Sequence, residues 1–171
     1  FRYLAHRGLA VAADGSQLDE NTADAFARAL EIGATHIETD VQASSDGVAM
    51  ICHDPDLSRI AGVTKRVSEL TAAELLNLHL EHGGRLITLE QALVQFGSAR
   101  FNIDIKGEAA IEPTVAAILK TGAIDRVLVS SFSEKRRMAA INQLPGVCTS
   151  ASANKLLQVW LSWRLGLKAN A

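Results

Sequence analysis

The chain is read outward from Ile37-Glu38-Thr39-Asp40-Val41, a Ser45-Asp46-Gly47 turn, and Val48-Ala49-Met50-Ile51-Cys52-His53-Asp54. In the first run Ile37, Thr39 and Val41 alternate with Glu38 and Asp40. Side chains on a strand alternate faces, so the two carboxylates emerge on one side. Two carboxylates so placed repel unless a cation neutralises them, and hard divalent ions such as Mg2+ and Ca2+ take oxygen ligands of this kind. The second run is apolar and ends on His53-Asp54-Pro55. Asp-Gly between two such runs is a hairpin signal, and a parallel crossover would need more chain than is available. Folding the second run back predicts His53 roughly beside Glu38. An isolated E-x-D also suits an exposed strand with solvated carboxylates, so the remaining chain has to decide.

Composition sets the frame. The 171 residues are 48% hydrophobic and 21% charged, with net charge -2. This is the profile of a soluble globular protein, and the length suits one domain over residues 1-171. The charge balance gives no reason to expect a nucleic acid partner. No apolar run is long enough to span a bilayer, and no signal peptide is visible, so a cytoplasmic location is expected. Cys52 and Cys148 fit no metal or redox spacing.

Strand-like and helix-like pieces alternate, which predicts an α/β fold with a largely parallel sheet. Phe1 to Ala5 reads as a first strand ending on His6-Arg7-Gly8. Asn21 or Thr22 is the predicted N-cap of a helix carrying Phe26, Ala29 and Leu30. Asp56 to Leu70 reads as irregular. Thr71 and Thr88 open two further helices, and Pro113 starts another. Phe101 to Lys106 is a strand with Asn102, Asp104 and Lys106 on one face. Arg126 to Ser130 and Val147 to Ser150 are the later strands. A last helix runs from about Asn154 to Leu165, where Trp160 and Trp163 are expected to pack in a core or an interface. Polar residues at the C-terminal ends of β/α strands are where such folds keep their chemistry.

The motifs fall into one order: H-R-G at His6, E-N-T at Glu20, E-x-D at Glu38, H-D-P at His53, T-L-E-x-x-L at Thr88 and N-x-D-x-K at Asn102. This ordered set resembles the glycerophosphodiester phosphodiesterase family, and the resemblance covers most of Tyr3 to about Ser133. It implies an irregular (β/α)8 barrel of TIM type. It implies metal-dependent hydrolysis of a small-molecule phosphodiester to glycerol 3-phosphate and an alcohol. Residue by residue it implies His6 and His53 as general acid and base, and Glu38, Asp40 and Asp104 as ligands of one divalent cation, Mg2+ or Ca2+. It places Arg7 and Lys106 against the phosphate. The chemistry agrees, because attack on an anionic diester needs nearby positive charge and two proton carriers titrating near neutrality.

Three departures stand out. The family usually has Glu where this chain has Asp104, and commonly Pro where it has Ile87. Its final strand, with Trp-Thr-Val-Asn, has no counterpart here. A (β/α)8 barrel takes about 250 residues, so the last strands are expected to be absent and the chain to be part of a longer barrel. Two other readings remain: a phospholipase D-like barrel acting on lysophospholipid or sphingolipid, and a catalytically silent phosphate-binding fragment.

Overall fold

The computed structural model describes residues 3–12, 14–151 and 153–164. The elements run β1 (Leu4–His6), α1 (Ala23–Glu31), β2 (His36–Ala43), β3 (Ala49–Ile51), β4 (Asp56–Leu57), α2 (Ser58–Ala61), β5 (Val63–Arg66), α3 (Ala72–Asn77), α4 (Leu89–Gln95), β6 (Arg100–Ile105), α5 (Ile111–Lys120), β7 (Val127–Ser130), α6 (Glu134–Ile141), β8 (Cys148–Thr149) and α7 (Ala153–Arg164). Strands β1, β2, β6, β7 and β8 lie side by side in that order, each pair parallel, and β3 adds antiparallel to β2. Helices connect the parallel strands, as in a β/α barrel.

The local signals act as expected. Thr22 caps α1 through its side-chain oxygen, and Thr71 and Thr88 form capping boxes with Glu74 and Gln91. The Ser45-Asp46-Gly47 hairpin is present: Ser44 N–H donates to the Val48 carbonyl, and Gly47 takes φ +76°. The underside of the sheet buries Ile37, Val41, Phe101, Ile103, Ile105, Val127 and Val129 against α1, α4 and α5. Phe26 sits at the centre and meets Phe96 and Phe101 edge-to-face, with ring centroids 5.9 Å apart in both pairs.

Alternation also explains the apolar run of β3. Ala49 and Ile51 belong to this core, whereas Met50 and Cys52 join a second cluster with Leu57, Val67, Leu75 and Leu86. A strand buried on both faces loses the polar half of its pattern.

Several expectations are corrected. The Asp56 to Leu70 segment is ordered: β4 and β5 pair antiparallel around α2, and a short 3-10 turn, Val67–Glu69, follows. Its strands are too short to show a period. The first strand begins at Leu4, and Phe1 and Arg2 lie outside the described residues. Helix α5 starts two residues before Pro113, which still falls in the first turn, where its missing N–H costs nothing. Helix α7 ends at Arg164, and Leu165 lies outside the described residues. Trp160 and Trp163 are exposed on this chain and do not pack in its core, and the Arg164 guanidinium lies 4.9 Å from the Trp160 ring centroid.

Candidate active site

The register of the parallel strands builds the site. His6 pairs with Glu38 across β1 and β2, and Glu38 with Asn102 across β2 and β6. Nearer the strand ends, Asp40 pairs with Asp104, and Asp104 with Ser130. Paired residues on parallel strands point to the same face, so one end of the sheet carries two adjacent polar rows. Glu38, Asn102, Asp104, Ser130, Ser131 and Phe132 contribute to the wall of a cavity of about 350 Å³. A larger cavity of about 580 Å³, lined by Leu76, Arg85, Ile87 and Val94 among others, touches none of these residues.

The H-R-G motif is held by its backbone. Arg7 has φ +56°, a conformation uncommon outside glycine. Its N–H donates to the Glu38 carbonyl at 3.0 Å and lies 3.2 Å from Glu38 Oε2. Gly8 lets the chain pass over α1, since a Cβ there would stand 2.8 Å from the Ala25 backbone. Asn21, the other residue outside glycine at positive φ among those described, has φ +58°. Backbone strain of this sort collects at functional sites.

Asp40 is almost wholly buried; the Lys106 ammonium and the Asn21 amide engage its oxygens, and the Arg7 guanidinium stands beside it as an ion pair, its buried Nε making no hydrogen bond. Lys106 Nζ lies 2.8 Å from Oδ1, Asn21 Nδ2 donates to Oδ2 at 3.1 Å, and Arg7 Nε stands 3.3 Å from Oδ2. Lys106 Nζ also reaches Asp104 Oδ2 at 2.7 Å. Burial works against the ammonium, but hydrogen bonds to Asp104 and Asp40, with their charges, outweigh it and raise its pKa. Burial, aided by the Asp40 charge, pushes the Glu38 carboxyl up to about 7.

The two histidines sit differently. His6 is exposed, with Nε2 3.8 Å from Glu38 Oε2. His53 Nδ1 lies 2.6 Å from Asp54 Oδ1. The expected place of His53 beside Glu38 is corrected. Val41 pairs with Ile51, Cys52 N–H still reaches the Asp40 carbonyl, and the chain then leaves the ladder. His53 is fixed instead by Asp54 and by Gln42 Nε2, which donates to its carbonyl at 3.1 Å. The imidazole beside Glu38 is that of His6.

The carboxylates Glu38, Asp40 and Asp104 share one face, as the alternation predicts. The Lys106 ammonium stands between the two aspartates, and among the described residues no group of three or more His, Cys, Asp or Glu forms a metal-holding cluster. Two observations nevertheless fit a cation. Asp104 Oδ1 is buried without a hydrogen-bond partner, and burial together with the charge of Asp40 makes ionisation of Glu38 harder than usual. An all-oxygen donor set under mutual repulsion is what a hard divalent ion relieves.

Sequence reasoning missed four contributors. Asn21 bridges Thr39 Oγ1, which donates to its Oδ1 at 2.8 Å, and Asp40. Glu20 accepts from Arg7 Nη1 at 3.0 Å and from Arg59 Nη2 at 2.6 Å. Arg59 Nε in turn donates to Asp54 Oδ2 at 2.6 Å. Glu20, Asn21 and Asp54 all lie inside quoted motifs, which was the available signal. Arg59 had none.

Comparison with known proteins agrees with this geometry. Residues 6–158 match the model of the Glycerophosphoryl diester phosphodiesterase family. The chain is 40% identical over 169 residues to a "Probable glycerophosphodiester phosphodiesterase 2" of Mycobacterium tuberculosis, covering 98% of this chain and 62% of that protein. A glycerophosphodiester phosphodiesterase structure from Agrobacterium tumefaciens superposes with TM-score 0.77 at 28% identity, over 86% of this chain and 64% of the other. The phosphodiesterase domain of Rv2277c from Mycobacterium tuberculosis shares the fold with TM-score 0.84 at 22% identity, over 99% and 66%. The chain thus spans about three-fifths of the length of that curated relative. With the ordered motifs, the family match over residues 6–158 and the shared barrel in agreement, the chain belongs to the glycerophosphoryl diester phosphodiesterase family.

Proposed function

We propose that this chain carries the catalytic end of a metal-dependent phosphodiesterase that splits glycerophosphodiesters into glycerol 3-phosphate and an alcohol. The observation that carries the reading is the buried pair Asp40 and Asp104, the latter with an unpartnered oxygen, ringed by Arg7 and Lys106 at the strand ends.

Glu38, Asp40 and Asp104 are the proposed ligands of one divalent cation, Mg2+ or Ca2+, and bound there it would supply positive charge to the phosphoryl oxygens. Asp104 is one methylene shorter than the usual Glu. Arg7 and Lys106 orient and neutralise the phosphate, Arg7 through a planar fork and Lys106 as a point charge. An oxygen nucleophile attacks phosphorus and the bond to the leaving alcohol breaks. One histidine takes the proton of the attacking oxygen, and the other gives a proton to the departing alkoxide. His53 has its Nδ1 engaged by Asp54, so Nε2 is its free nitrogen.

The test is release of glycerol 3-phosphate from glycerophosphocholine, followed by a coupled dehydrogenase assay. Product is expected with added Mg2+ or Ca2+ and is expected to stop with EDTA. Cleavage of lysophosphatidylcholine in preference would move the reading to the phospholipase D-like alternative. No turnover of either substrate with the cation supplied would leave the silent phosphate-binding reading.

A further inference from the structure

Arg59 stands in a segment that the sequence marks as irregular, yet it joins two parts of the site. Its Nε donates to Asp54 Oδ2 and its Nη2 to Glu20 Oε1, each at 2.6 Å. Asp54 uses its other oxygen on His53 Nδ1, also at 2.6 Å, and Glu20 uses the same Oε1 on Arg7 Nη1. The result is an unbroken chain, His53–Asp54–Arg59–Glu20–Arg7. Glu20 and Arg59 are separated by 39 positions, so the link exists only in the folded molecule.

An exposed ion pair is by default worth little in stability, and the Arg59 side chain is half exposed. Its two partners are not, with about a quarter of each side chain accessible. Arg59 also uses two different nitrogens of one rigid fork on two different carboxylates, which fixes direction as well as distance. The Asp54 carboxyl is held below its ordinary range. Burial opposes this, but hydrogen bonds from His53 and Arg59 prevail. An ionised carboxylate can only accept, so His53 Nδ1 carries the hydrogen and Nε2 faces away from Asp54.

Resting on the proposed phosphodiester hydrolysis, we infer that Arg59 is a positioning residue: clamped between Asp54 and Glu20, it holds the His53 tautomer and fixes that imidazole relative to Arg7. It touches no reacting atom. Without it Asp54 loses the partner that aims its carboxylate, and the His53 ring gains both rotation and the second tautomer. Outer partners that orient metal-bound histidines are worth a factor of about 10 to 100 in affinity or activity, and the effect expected here is set by analogy at the lower end of that range.

The test reads the His53 ring nitrogens by 15N NMR in the wild type and Arg59→Ala, without substrate, at a pH where the ring is neutral. Kinetics with glycerophosphocholine are measured alongside. In the wild type, distinct shifts for a protonated Nδ1 and a bare Nε2 are expected. In Arg59→Ala the two shifts should converge toward a tautomer mixture. The kcat should fall roughly tenfold with KM changed by less than about twofold, since Arg7 keeps its own ion pairs with Glu20 and Asp40 when Arg59 is gone. Arg59→Lys, which keeps the charge without the fork, should fall between. If Arg59→Ala does not fold, Arg59→Lys and Glu20→Gln carry the same comparison. Unchanged ring shifts, or a loss confined to KM, would overturn the assignment. If the wild type is inactive on the diester but the ring shifts still converge in the variant, the hydrolytic reading fails and the positioning role stands.

Discussion

The two faces of β2 and β6 share a backbone and have opposite economies. The underside packs Ile37, Val41, Phe101 and Ile103 around Phe26 with essentially no exposure. The upper strand ends carry Glu38, Asp40, Asp104 and Lys106, where burial works against charge. Apolar burial is the main source of folding free energy, whereas a buried carboxylate costs it unless matched. One face therefore sets where the strands lie, and the other spends part of that stability on holding charges close together. The contrast predicts that changes below alter stability with little effect on chemistry, whereas changes above alter chemistry together with the balance of charges on which part of the stability depends.

The largest effect tests the underside. Phe26→Ala, removing a ring that contacts two others, should lower the unfolding free energy by about 4 kcal/mol in denaturant titration. Activity per folded molecule should stay near wild type. A smaller loss together with a large fall in kcat would break the division between the faces.

Lys106→Met tests the upper face next. Removing the ammonium leaves Asp40 and Asp104 facing each other, and about 3 kcal/mol of stability should be lost in cation-free buffer. Millimolar Ca2+ or Mg2+ should restore part of it if the aspartates take up the ion. Restoration by monovalent salt alone would show screening instead of a site.

His6→Ala and His53→Ala should each lower kcat by roughly 100-fold, about 2.7 kcal/mol of barrier, with little change in melting temperature. Near-normal turnover in either variant would remove that histidine from the mechanism.

The smallest effect is the pH dependence from Glu38. Its carboxyl is raised from 4.5 to about 7 in the fold, first by burial and then by Asp40. The folded state then binds the proton more tightly than the unfolded chain does. Its stabilising contribution is complete below about pH 4.5 and is lost as pH rises through about 7, levelling off above. Thermal melts of the cation-free protein should show this slope, and Glu38→Gln should remove it. A slope of the opposite sign would mean that Lys106 and Arg7 dominate Glu38.

The sequence by itself determined whatever depends on residues a few positions apart. Strand alternation put Glu38 and Asp40 on one face, Asp-Gly set the hairpin, and threonines at 22, 71 and 88 capped their helices. The ordered motifs carried the family and six of the seven expected site residues into one connected polar network, His6 approaching it through Glu38 at 3.8 Å. The imidazole neighbour of Glu38 was assigned to the wrong histidine, because a ladder that stops at Cys52 is not visible in the pattern that begins it. Only the tertiary structure decided that Lys106 stands between the two aspartates, that Asn21 reaches Asp40, and that Arg59 ties His53 to Arg7 through Asp54 and Glu20. The reason is physical. Periodicity and capping act over one or two turns of chain, whereas an ion pair across 39 positions is set by how loops settle on a finished sheet.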